Sequence, residues 1–253
     1  MPANNKKYGL VLSGGGVRGV AHIGVLKALE EINIKPSFIS GTSAGSIVGA
    51  LYASGFTPTE ILDLIKKTNF LFSLRPSFSF SGILSMDAME KLLIENIPDD
   101  FAKLKISLSI AATDLEQGKT VYFDKGQLVK PILASACIPV LFKPVEINGA
   151  KYIDGGILNN LPIEPLLNKC DTIIGVHTNP ISSHFSGSNV KNILERTMLM
   201  AISGNTKINA QKCDIYIEPP LLGEFTGMDL SRIDDLFEIG YRYTKENIDN
   251  FEW

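Results

Sequence analysis

The sequence predicts an α/β fold, a three-layer α/β/α sandwich around a largely parallel sheet. Short apolar runs of strand length alternate along the chain with longer runs of helical period. Two of the early runs pass straight into glycine-flanked turns that open a helix, at Gly14-Gly15-Gly16 and at Gly41-Thr42-Ser43-Ala44-Gly45. The 253 residues, 45% of them hydrophobic, show no internal repeat and no linker. Such a chain buries one α/β core, so residues 1–253 are expected to form a single domain.

The elements follow in order. Tyr8–Leu12 reads as a buried strand, followed by the loop Ser13-Gly14-Gly15-Gly16-Val17-Arg18-Gly19 and a helix with Val25, Ala28, Leu29 and Ile32 on its apolar side. Residues 37–40 read as the second strand and 46–52 as the helix after it. Thr57 then caps a helix that runs to about Thr68, with Pro58 in its first turn and Glu60 closing a capping box. A helix is expected at 86–96, a buried strand at 106–112 and its partner at 119–123, after the turn Glu116-Gln117-Gly118. Residues 145–153 read as a hairpin about Asn148-Gly149. It delivers Asp154-Gly155-Gly156, and 157–162 are expected to continue into a helix. A buried strand at 172–176, a long helix at 190–212, a short strand at 215–217 and a closing helix at 231–250 complete the chain.

Three of these junctions carry chemistry. Ser43 stands between a strand and a helix with small residues on both sides, the arrangement that exposes a serine hydroxyl above a sheet edge. The helix N-terminus behind it favours developing negative charge. A plain tight turn would also require Gly41 and Gly45. The triple glycine at 14–16 leaves backbone N–H groups unobstructed, forming a nest for a phosphate or for the oxyanion of acyl transfer, and Arg18 adds a positive charge. Gly14, Gly16 and Gly19 also match the dinucleotide fingerprint. That reading needs an acidic residue at the end of the next strand, where Gly41-Thr42-Ser43 stands instead, so it is rejected. Asp154, at a strand exit before two glycines, can be presented at the edge that carries Ser43, or can simply accept hydrogen bonds from its own turn.

Together, in this order, the segments at 14–19, 41–45 and 154–156 closely resemble the patatin-like phospholipase family, with a motif core over about 8–165. The likeness extends over the intervening helix and is looser elsewhere. The resemblance implies a carboxylic ester hydrolase acting on lipid or fatty-acyl esters, with phospholipase A, lysophospholipase or esterase specificity. It implies Ser43 as nucleophile, Asp154 as proton acceptor and an oxyanion hole at Gly14, Gly15, Gly16 and Arg18. Gly19, Gly41, Gly45, Gly155 and Gly156 complete the motifs. No cofactor is implied, and transient contact with a membrane surface is compatible with such a substrate.

A dyad asks much of an aspartate, whose reference pKa near 3.9 makes it a weak base. Withdrawal from water beside the serine would raise its basicity. The alternative is a Ser–Asp–His triad of the α/β-hydrolase kind, for which His177, just after the strand at 172–176, is the better placed histidine and His184 the poorer. Ser43 arrives early for that fold. His22, at the start of the first helix, is expected to brace the glycine loop. A lipid-binding relative without catalysis is a third reading. The segment 69–80 carries Phe70, Phe72, Phe78 and Phe80 without a clear period, either as core or as an acyl-chain pocket near Ser43.

Composition excludes several classes. No run of 18 apolar residues spans a membrane, and the N-terminus lacks a secretory pattern, so a cytoplasmic protein is expected. Cys137, Cys170 and Cys213 are odd in number and lack ligand spacing, which predicts neither a disulfide framework nor a metal site. A formal net charge of −3 with no basic stripe argues against nucleic acid.

Overall fold

The computed structural model describes residues 6–68, 86–183, 185, 190–227 and 230–251. The phenylalanines at 70, 72, 78 and 80, and His184, lie outside them. The strands are β1 (Tyr8–Leu12), β2 (Pro36–Thr42), β3 (Ser107–Asp114), β4 (Lys119–Phe123), β5 (Val145–Ile147), β6 (Ala150–Asp154), β7 (Thr172–Val176) and β8 (Ile215–Ile217). They form one sheet in the order β5-β6-β3-β2-β1-β7-β8, with β4 also paired to β3. The pairings between β3, β2, β1, β7 and β8 are parallel, whereas β4, β6 and β5 join antiparallel.

Burial on both faces explains the continuous apolar reading of the central strands. Leu10 and Leu12 of β1 enter the main core with Ile39, Ile110, Ile174 and Val176 from neighbouring strands. Val11, one step along and so on the other face, packs with Leu161, Ile163, Leu166 and Ile173. Helices α1 (Ala21–Glu31), α2 (Ala44–Ser54), α3 (Pro58–Thr68) and α7 (Ile233–Asn247) contribute to the main core, and α1 packs extensively against α7. Each large side chain fully withdrawn from water contributes roughly 1.5–3 kcal/mol before its ordering entropy is counted. Helix α4 (Asp87–Asn96) adds Met89, Leu92 and Leu93 to the same core. Helix α6 (Val190–Ala210) brings the end of its length, Ala210, against the smaller core. Helices therefore lie on both sides of a mixed sheet.

Two local expectations need correction. Residues 157–162 do not continue into an α-helix. A 3₁₀ turn at Gly155–Ile157 ends at once, and a second forms at Glu164–Leu166. Pro162 and Pro165 supply no amide to an α-helical ladder there, and the Asn159 side chain bonds instead to Tyr122 and Glu164. A short helix, α5 (Val129–Ser135), also forms where none was expected. The capping box holds as predicted: Glu60 accepts from the Thr57 amide at 2.8 Å, and the Glu60 amide donates to Thr57 Oγ1 at 3.3 Å.

Candidate active site

Ser43 caps α2 with φ 51° and ψ −122°. A non-glycine residue in this region is strained, at a cost on the order of 1–3 kcal/mol, and persists only where its surroundings hold it. Three contacts do so. Its amide donates to Ser135 Oγ at 2.8 Å, Ser135 Oγ donates to the Ala111 carbonyl at 2.6 Å, and Ser46 Oγ donates to the Ser43 carbonyl at 2.7 Å. The flanking glycines are required by close approach. A Cβ on Gly41 would stand 2.6 Å from the Gly45 carbonyl oxygen, and one on Gly45 would collide with the Leu12 carbonyl. Gly19 is pressed against Ala44 and Gly155 against the Ala111 carbonyl in the same way.

Asp154 ends β6, paired there with Ala112 of β3. Its amide donates to Cys137, and its carbonyl accepts from Thr113 Oγ1 at 2.9 Å. The carboxylate then reaches two partners. Oδ2 accepts from Ser43 Oγ at 2.7 Å, and Oδ1 accepts from the Gly156 amide at 2.8 Å. No cation is among the groups that shift its titration. Burial pushes the carboxyl up to about 6, against the opposing pull of the Ser43 and Gly156 hydrogen bonds. The turn contact that a merely structural aspartate would make is thus present together with the serine contact.

The glycine loop is pinned peptide by peptide. The 13–14 peptide is held at both ends, its carbonyl by His22 Nε2 at 2.8 Å and its amide by the Asn160 carbonyl at 3.2 Å. Burial holds His22 down to about 4, so the ring is neutral and Nε2 carries the proton donated to Ser13. The 14–15 peptide is fixed through its carbonyl, which accepts from Ser13 Oγ, Thr178 Oγ1 and Asn179 Nδ2. In a planar trans peptide the N–H lies opposite the C=O, so the Gly15 amide faces away from Thr178 and Asn179. Among the described residues, the Gly15 and Gly16 amides have no acceptor. Gly16, at φ +56°, takes a left-handed conformation that suits glycine. Of the three glycines, only Gly14 has its amide engaged.

Arg18 lines the same cavity as Ser43, and its guanidinium is engaged within the protein. Its Nε donates to the Phe225 carbonyl at 2.8 Å, Nη1 to Asn179 at 3.2 Å and Nη2 to Glu195 at 3.1 Å. Glu195 also accepts from the Gly227 amide at 2.9 Å. The guanidinium therefore ties the glycine loop to α6 and to the 225–227 segment, its charge matched by Glu195.

These groups surround a cavity of about 400 Å³ that contains Ser43, Asp154, Gly14, Gly15 and Gly16. Its apolar wall is built from Ile138, Leu141, Ile157, Met198, Leu199 and Ile202. This wall was not foreseen, since it joins the turn after α5 to one face of α6, and the expected phenylalanines are not part of the described site. His177 lies elsewhere. Its Nδ1 is 2.6 Å from Glu218 Oε1, its ring stacks on Tyr216, and it lines a second cavity of about 860 Å³ that shares Asn179, Leu199 and Ile202 with the first. Among the described residues, no group of three or more His, Cys, Asp or Glu is placed to hold a metal ion, and no helix is long and apolar enough to cross a membrane.

A sequence model of the patatin-like phospholipase family matches residues 10–167, which include all three motifs. The chain belongs to this family. An uncharacterized NTE family protein of Mycobacterium tuberculosis is 35% identical over 181 residues, covering 70% of this chain and 50% of that protein. Lysophospholipase NTE1 of Scheffersomyces stipitis is 28% identical over 284 residues, covering 95% of this chain and 18% of its own length. The chain thus spans half or less of the length of these curated relatives. The crystal structure of VipD from Legionella pneumophila shares the fold, with a TM-score of 0.56 at 16% identity over 98% of this chain and 67% of that one.

Proposed function

We propose that this patatin-like chain is a serine acyl hydrolase of lipid carboxylic esters, working through a Ser43–Asp154 dyad. The observation that carries the reading is the 2.7 Å hydrogen bond from Ser43 Oγ to a buried Asp154 whose basicity burial has raised. A base near 6 can take the serine proton at neutral pH far better than an aspartate in water. As Ser43 Oγ attacks the ester carbonyl, the proton passes to Asp154 Oδ2. The oxyanion forms beside the Gly15 and Gly16 amides, and a donor of that kind is typically worth about a hundred- to thousandfold in rate. Asp154 then protonates the departing alkoxide, leaving an acyl-enzyme on Ser43. Water attacks that ester with Asp154 again as base, Asp154 returns the proton to the departing Ser43 Oγ, and the fatty acid leaves.

The apolar wall at 138–141 and along α6 supports an acyl chain as the group held beside the nucleophile. The name of the fungal relatives supports a lysophospholipid among the substrates, delivered from a membrane surface. Arg18 acts as a clamp on the loop, and Gly14, whose amide is already given to the Asn160 carbonyl, shapes the loop without donating to the oxyanion.

The test is active-site labelling with a fluorophosphonate, followed by peptide mass mapping, together with a panel of lysophospholipids, phospholipids and simple esters. Label on Ser43, and loss of both label and turnover in Ser43→Ala, are expected. Turnover in that variant above about a thousandth of wild type would overturn the assignment, since loss of an attacking group costs several orders of magnitude.

A further inference from the structure

Within the Ser43 cavity, the Asn160 carboxamide is a polar group that the mechanism above leaves unused. Asn160 is 2% exposed and lines the cavity together with Ser43 and Asp154. Its Nδ2 has no hydrogen-bond partner among the described residues. The other buried side-chain atoms in that condition, on His22, Ser40 and Ser109, do not line this cavity. A buried amide left without a partner is uncommon in a folded chain and calls for a reason.

Two motif glycines are shaped around this side chain. A Cβ on Gly14 would stand 2.6 Å from Asn160 Oδ1 and 3.2 Å from Ser43 Cβ. One on Gly156 would stand 2.9 Å from the same Oδ1 and 3.0 Å from Asp154 Oδ1. The carboxamide therefore threads between the glycine loop and the aspartate turn, close to both nucleophile and base. The backbone holds it there, since the Asn160 carbonyl accepts the Gly14 amide. No hydrogen bond among the described residues fixes which end is oxygen and which nitrogen, so a half-turn about the terminal bond puts N–H groups where Oδ1 stands.

We propose that Asn160 is a further catalytic residue, turning its amide N–H to the ester oxygen and sharing with Gly15 and Gly16 the charge that develops there. The proposal rests on the hydrolase reading. It gives Gly14 and Gly156 a common purpose, which is to leave room for a third donor.

The experiment uses the full chain with p-nitrophenyl butyrate and two inhibitors. An alkyl trifluoromethyl ketone accepts the serine oxygen and carries the same oxyanion, while the alcohol of equal chain length fills the cavity without one. Asn160→Ala is expected to lower kcat about a hundredfold with KM changed less than about threefold. Trifluoromethyl ketone inhibition should weaken by the same factor as kcat, with alcohol inhibition unchanged. Asn160→Asp keeps the shape and serves if the alanine variant fails to fold; it too should lose the ketone selectively. A kcat within about threefold of wild type in a folded variant, or equal loss of both inhibitors, overturns the proposal. A wild-type protein that hydrolyses no ester and takes no label on Ser43 fails the hydrolase reading first, and this inference with it.

Discussion

Two hydrogen-bonded polar pairs stand near the carboxyl ends of the parallel strands, and their surroundings drive their carboxylates in opposite directions. Asp154 meets a neutral hydroxyl, and burial lifts it to about 6. At Glu218 burial also pushes upward, but the hydrogen bond and charge of His177, with the Tyr216 hydroxyl, outweigh it and hold the carboxyl below its ordinary value. A carboxylate beside a histidine makes a good ion partner and a poor base. One withdrawn from water with only a hydroxyl for company becomes a base suited to neutral pH. The contrast supports the proposed dyad over the triad, because the acid at Ser43 is bonded to the serine itself and His177 is bonded to Glu218.

The largest expected effect breaks the first pair. Asp154→Asn keeps the shape but cannot take the serine proton, so ester hydrolysis should fall at least about a thousandfold. His177→Gln, measured in parallel, should stay within about threefold of wild type. A folded His177→Gln variant as inactive as Asp154→Asn would erase the distinction between the pairs.

A smaller effect concerns the apolar wall that α6 presents to the Ser43 cavity. Met198→Trp and Ile202→Trp should fill acyl space beside Ser43. Each methylene denied burial is worth about 0.8 kcal/mol, so octanoate ester kcat/KM should fall tenfold or more while acetate ester turnover holds. Equal loss on both esters would place the acyl chain elsewhere.

Smaller still is the effect on folding. The Asp154 carboxyl titrates higher in the folded chain than its ordinary 3.8, so its contribution to stability is full below about 4 and is lost as pH rises through about 6. Asp154→Asn, neutral throughout, should therefore unfold at higher temperature than wild type at pH 7.5, with the gap closing as pH falls toward 4. The Glu218 carboxyl has the opposite sign, and its contribution is lost as pH falls. A gap that widens on acidification would contradict burial as the dominant influence on Asp154.

The legible part of the site was the part written in contiguous residues. Ser43, Asp154 and the glycines at 14–16 announce themselves because each turn is encoded within five or six positions. The supports were not legible. Ser135, Asn179 and Glu195 reach the site from remote places in the chain, and an ordinary serine or asparagine carries no local sign that its partner is a strained backbone. Arg18 looked like a free cation because Glu195 lies 177 positions away. The strands at 8–12 and 172–176 were read at their observed bounds, since runs buried on both faces are marked plainly, and the half-buried strand at 119–123 was marked by the turn before it. Helix α5 escaped because seven residues interrupted by Pro131 give no period to read. The phenylalanines at 70, 72, 78 and 80 lie outside the described residues, and the described part of the cavity wall comes from Ile138, Leu141 and the α6 face, residues that pass as ordinary core.

The pH dependence of kcat/KM on a short ester, in wild type and in His177→Gln, tests the central claim most directly. This quantity reports the free enzyme's base. If Asp154 is that base, activity rises through a single ionisation near 6 and levels above it, and the same curve is traced when His177 is replaced. A rise that shifts or disappears in His177→Gln would assign the proton to the histidine and contradict the dyad.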